Sequence, residues 1–230
     1  MRPEEKIRHQ ETIENIGKVI KSGAEKISVI MRHSDRFFHT DSSMEPFMGL
    51  TEKGKEFAML LGTRLPKNPK PRLFSSPFGR CIETAYLIDK GYIKAHATFF
   101  DSHNIQAVEL SPFYITDIHK AIALVNELGS VKFLRRWFDH EISDSIMQNP
   151  KIAADTIADF MVKQMNSCQK GEIALCVSHD WNLFPLKEYK LGLAHEEYGT
   201  VGYLESVIIF EKEGKNYIVN YQKEPCLLKA

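Results

Sequence analysis

Short apolar runs alternate along this chain with stretches in which hydrophobic residues return every three or four positions, so strands and helices should follow one another. Ile7, Ile13, Ile16, Val19 and Ile20 fall at near-helical spacing until Ser22-Gly23, which predicts a helix from about Pro3 to Lys21 and then a strand, Lys26–Met31. A polar loop, Phe38–Met48, leads to Thr51. This residue caps a helix with an apolar face of Leu50, Phe57, Ala58, Leu61 and Leu65, and Pro66 stops it. Arg72–Ser75 reads as a second strand. Pro77-Phe78-Gly79 then turns the chain into a helix, Arg80 to Asp89, closed by Gly91. Residues 92–150, with Pro112, Gly129, Pro150 and a helical stretch Val131–Trp137, fit neither period cleanly and read as a mixed insertion or cap.

Lys151–Cys168 follows as a helix with Ile152, Ile157, Phe160, Met161 and Met165 inward. Ile173–Val177 is a third strand, running into Ser178-His179-Asp180 and a helix to about Leu191. Leu204–Phe210 and Tyr217–Tyr221 alternate around Glu213-Gly214-Lys215 as a terminal hairpin. Strand, turn and helix recur without a repeat or a linker. The expectation is one α/β unit over 1–230: a three-layer α/β/α sandwich with a mostly parallel sheet and a small cap, 92–150.

Composition narrows the function more than the fold. Thirty basic residues balance thirty acidic ones, so neither a nucleic acid nor a membrane surface is favoured as partner. Cys81, Cys168, Cys176 and Cys226 include no CxxC pair and suit reduced thiols. Met1 to Lys21 lacks the apolar core of a signal peptide, and a cytoplasmic protein is expected. No GxGxxG or GxxxxGK[ST] is present, against dinucleotide or P-loop binding.

Charge is concentrated where strands end. Arg32, His33 and Arg36 follow the first strand, Arg80 the second, and His179-Asp180 the third. In open parallel sheets such turns gather at one edge, where ligands bind. Guanidinium forks match phosphate oxygens, and a histidine between them suits nucleophilic or acid–base work.

Arg32-His33-Ser34-Asp35-Arg36 resembles the Arg-His-Gly signature of the histidine phosphatase superfamily, the phosphoglycerate mutase-like fold, and specifically the Arg-His-Gly-x-Arg form of its acid phosphatase branch. Leu50-Thr51-Glu52-Lys53-Gly54 resembles the family's helix start. Ser75-Ser76-Pro77-Phe78-Gly79-Arg80 resembles the segment carrying its third arginine, and Val177-Ser178-His179-Asp180 its second-histidine segment. The resemblance implies a metal-independent phosphomonoester hydrolase without cofactor, acting on a small phosphorylated substrate. His33 would become phosphohistidine, while Arg32, Arg36, Arg80 and His179 hold the phosphoryl oxygens. Arginines beside His33 should depress its pKa.

The proton donor is Asp180 in the acid phosphatase pattern, or Glu109 in the mutase-like pattern. Asp180 is preferred because Arg36 and the His-Asp pair match the former. Ser34 departs from the family's glycine and puts a side chain where none is usual. Within the same chemistry a mutase is the rival. Outside it stand a phospho-ligand binder without turnover and a metal-dependent hydrolase using His33, His179 and Asp180. Arg135 and Arg136 invite a reading as a substrate clamp, but an amphipathic helix snorkelling its arginines is preferred. The remaining histidines, His9, His39, His96, His103, His119, His140 and His195, read as surface or loop residues.

Overall fold

The computed structural model describes residues 6–98 and 104–229. Its seven strands form one sheet in the order β3-β2-β4-β1-β5-β6-β7. They are β1 (Lys26–Arg32), β2 (Lys70–Ser75), β3 (Ile105–Gln106), β4 (Glu172–Ser178), β5 (Ser206–Lys212), β6 (Lys215–Asn220) and β7 (Lys223–Leu227). Strands β3, β2, β4 and β1 run parallel, whereas β5, β6 and β7 continue antiparallel, so the sheet is parallel only in its first half.

The period-two pattern explains the three layers. Ile30, Ala174, Cys176, Val207 and Ile209 face one core, and Val29, Met31, Leu175, Val177 and Ile208 face the other. The first core is covered by α5 (Ser130–Phe138), α6 (Pro150–Ser167) and α7 (Asp180–Pro185), through Phe133, Trp137, Ile157 and Leu183. The second is covered by α1 (His9–Lys21), α2 (Glu52–Arg64) and α3 (Gly79–His96), through Ile16, Leu61, Ala85 and Ile88. A strand buried on both faces needs apolar residues at nearly every position, as β1 and β4 show.

Several boundaries differ from expectation. α3 runs through Gly91 to His96, with Ala97 in the left-handed conformation as its C-cap. Gly91 serves close packing instead: a Cβ there would stand 2.1 Å from the Met59 carbonyl of α2. Ile152, expected inward, lies on the solvent side of α6. The uncertain stretch holds β3, α4 (Ile118–Leu128) and α5, the two helices broken by Gly129 at φ 76°. The hairpin of β5 and β6 turns on Glu213 and Gly214, both at positive φ, the two-residue geometry that suits strand twist. β7 escaped notice because Lys223, Glu224 and Pro225 give an exposed edge strand no apolar alternation. Among the described residues no helix is long and apolar enough to cross a membrane.

Candidate active site

Parallel pairing fixes where the site lies. Arg32 pairs with Ser178 and Ser75 with Val177, so β1, β4 and β2 end together. Their following turns deliver His33, His179 and Ser76 to one edge, and all three are buried. The His33 amide donates to the Ser178 carbonyl at 2.9 Å, and that of Ser76 to Val177 at 2.9 Å, extending the ladder one step into the turns.

Arg80, in the first turn of α3, joins the two imidazoles. Its Nε donates to His33 Nε2 at 3.1 Å and its Nη2 approaches His179 Nδ1 at 3.3 Å. A guanidinium carries only donors, so both ring nitrogens must present lone pairs. His33 Nδ1 then carries the proton and donates to the Ser34 carbonyl at 2.8 Å. His179 Nε2–H donates likewise to Ser76 Oγ at 3.0 Å. The rings stand 5.5 Å apart, nearly edge to face.

Electrostatics agree with two neutral imidazoles. Burial pushes the His33 ring well below its ordinary pKa, with Arg32, His179 and Arg80 adding to the effect. His179 is lowered similarly, first by burial and then by Arg80, Arg32 and Arg36. His33 Nε2 is therefore an uncharged ring nitrogen whose lone pair is held against a guanidinium.

Arg32 lies beneath this pair. Its Nη1 donates to the Val201 carbonyl at 2.7 Å, its Nη2 lies 3.2 Å from Asp180 Oδ2, and its guanidinium stacks 4.1 Å from the Tyr203 ring centre. Arg36 approaches from the loop, stacked 4.2 Å from Phe38 and paired with the Glu45 carboxylate. Asp180 Oδ1 accepts from the Trp181 amide at 2.9 Å. Glu109 sits in a 3-10 turn at the same edge: Ser178 Oγ donates to the Leu110 carbonyl and Asn182 Nδ2 to that of Glu109. All seven residues singled out in the sequence thus lie at or beside one strand edge.

The Ser34 departure has a simple structural answer. Its hydroxyl donates to the Gly54 carbonyl at 2.7 Å, tying the His33 turn to α2. Gly54 is required there, because a Cβ would stand 2.0 Å from the Asp35 carbonyl. The Asp35 carboxylate accepts from Thr51 Oγ1 at 2.8 Å, so it braces the α2 cap. Thr84, buried, accepts from the Ser34 amide at 3.2 Å.

Ser76, Cys81 and Tyr203 were missed as neighbours of the site. Cys81 Sγ lies 3.6 Å from His179 Nε2, its thiol pushed up to about 12 by burial. Arg135 and Arg136 pair with Glu188 and Glu141 at 2.9 and 3.0 Å, which agrees with the snorkelling reading. His195 is a correction: it is buried, and its Nε2 contacts the Val131 carbonyl. Among the described residues, the one set of side chains close enough to share a metal ion is Glu188, His195 and Glu196. It contains no residue of the pocket, and Arg135 already pairs with Glu188 there. His103 lies outside the described residues.

Residues 29–99 match the family model of the histidine phosphatase superfamily (branch 1). Phosphoglycerate mutase from Bacillus anthracis shares the fold at TM-score 0.53 and 19% identity, over 86% of this chain and 94% of that one. YhfR from Bacillus stearothermophilus does so at TM-score 0.56 and 21% identity, over 84% and 95%. The family-model match covers residues 29–99, and the two solved structures share the fold. A phosphoserine phosphatase variant from Entamoeba histolytica, solved with phosphoserine, has the same fold at TM-score 0.52 and 15% identity, over 84% and 95%. No curated protein matches the sequence. The matching superfamily model is that of branch 1. The acid phosphatase likeness rests on Arg36 and the His179-Asp180 pair alone.

Proposed function

We propose that the protein hydrolyses phosphomonoesters through a phosphohistidine on His33. The observation that carries this reading is Arg80 bridging the lone pairs of His33 Nε2 and His179 Nδ1. A tetrahedral dianion placed there meets guanidinium donors opposite a neutral nucleophile. Positioning and charge stabilisation are most of what phosphoryl transfer requires. Nε2 attacks phosphorus, the ester P–O bond breaks, and a carboxyl group protonates the departing oxygen. Water, deprotonated by the same group, then cleaves the P–N bond and releases orthophosphate.

Asp180 is the proposed acid and Glu109 the alternative. The Arg32 contact favours Asp180, because it holds that carboxyl beside the phosphate site. A phosphoryl group that takes over the guanidinium would release Asp180 to act on the leaving oxygen. Asp180→Asn should slow phosphoserine or glycerol phosphate far more than 4-nitrophenyl phosphate, whose leaving group needs no proton. The same selective loss in Glu109→Gln would move the role to Glu109.

The stretch 92–150 is proposed as the cap that sets specificity, and water rather than a second substrate hydroxyl as acceptor. Phosphate release in the presence of chelator, unaffected by added bisphosphorylated glycerate, tests hydrolysis against mutase and metal-dependent chemistry together. Release that requires a metal, or phosphoryl transfer to a monophosphorylated glycerate in place of release, would contradict the proposal.

A further inference from the structure

The loop between His33 and α2 does more than connect them. Its 3-10 turn, Ser42–Phe47, folds back so that the Glu45 carboxylate pairs with Arg36, while Arg80 Nη1 donates to the Glu45 carbonyl at 3.2 Å and meets that of Pro46 at 3.5 Å. One turn thus engages two of the three guanidiniums in the pocket. The pair is largely withdrawn from water, with side-chain exposure of 12% for Arg36 and 21% for Glu45, unlike a freely solvated surface pair. Arg36 Nε is buried with no hydrogen-bond partner among the described residues, a charged donor still open to an anion.

We propose that Glu45 is a built-in competitor for phosphate: its carboxylate pairs with Arg36 Nη1 in the resting protein, and a substrate's phosphoryl group displaces it. This rests on the phosphatase reading of the pocket and adds a regulation of that same site. Carboxylate and phosphate offer a guanidinium the same pair of acceptors, so exchange needs no rearrangement of the arginine. Release of the turn is inexpensive. Met44 and Phe47 already face solvent, and the turn is held by hydrogen bonds that include the His39 amide to Glu45 Oε1 at 3.1 Å, the Met44 amide to the Asp41 carbonyl at 3.1 Å and the Met48 amide to the Glu45 carbonyl at 3.3 Å. Freed from Glu45 and Pro46, Arg80 Nη1 turns to the phosphoryl oxygen as well.

The opposite role for Glu45 is that of a positioning residue, holding Arg36 ready for substrate. Orthovanadate binding to the full chain separates the two. In Glu45→Gln the amide no longer competes, and vanadate should bind about three- to tenfold tighter than in wild type. Hydrogen exchange of the amides of residues 39–48 in the wild type should quicken when vanadate saturates the site, a readout that survives if the variant misfolds. Unchanged or weaker binding by Glu45→Gln, or slower exchange in that loop, overturns the competitor. If wild type and variant both ignore vanadate, the phosphatase reading falls with it. Binding by both with no gain in the variant removes the competitor alone.

Discussion

The half of the pocket carried by strand ends and the half carried by the loop are held by different forces. Arg32 ends β1, and His33 and His179 directly follow β1 and β4, strands backed by two apolar cores and by ladder hydrogen bonds. Behind them Glu205 accepts from Lys187 at 2.7 Å, a pair fully withdrawn from water, while the Glu205 carbonyl receives the Arg32 amide at 3.0 Å. Glu45, the partner of Arg36, sits on a 3-10 turn with Phe47 and Met44 exposed. The two imidazoles and Arg32 are held rigidly, and the Glu45 turn is not. A site that must admit and release a dianion can keep its chemistry fixed while its entrance gives way.

Breaking the rigid half should cost most. Lys187→Met removes the cationic partner of the buried Glu205 carboxylate, and should lower stability by about 3–5 kcal/mol in urea titration. Arg80→Gln removes the bridge between the imidazoles and should cut kcat/KM by about a hundred- to thousandfold with the fold intact. A third test uses the two lowered histidines. The unfolded chain binds their protons near pH 6.5, whereas the folded protein does not. Their contribution is therefore complete above that pH. It declines as pH falls through it, by up to about 1.4 kcal/mol per pH unit for each ring. Urea midpoints between pH 7.5 and 5.5 measure this, and a flat profile would contradict buried neutral imidazoles. On the loop, by contrast, Phe47→Ala should change stability by no more than about 0.5 kcal/mol.

How much of this was legible in the sequence follows the same division. Arg32, His33, Arg80 and His179 could be found because each ends or follows a strand, and parallel strands bring such ends together. The recurrence of strand, turn and helix likewise announced a sheet covered on both faces. Glu45 and Tyr203 gave no signal: their contacts to Arg36 and Arg32 arise from tertiary folding, and neither falls in a periodic element. Gly91 misled because a helix-ending glycine and one admitting a neighbouring helix read alike. Val131–Trp137 was legible as helix and became α5, whereas residues 105–128 resisted because a two-residue strand and a short 3-10 turn precede α4.

The account centres on His33 Nε2 as the atom that takes the phosphoryl group. Brief exposure of the protein to a radiolabelled phosphomonoester, followed by denaturing quench, measures this directly. Label that survives alkali, is lost in acid and is absent from His33→Ala is the predicted result. Turnover without such label on the wild type, or the same label on His33→Ala, would contradict it.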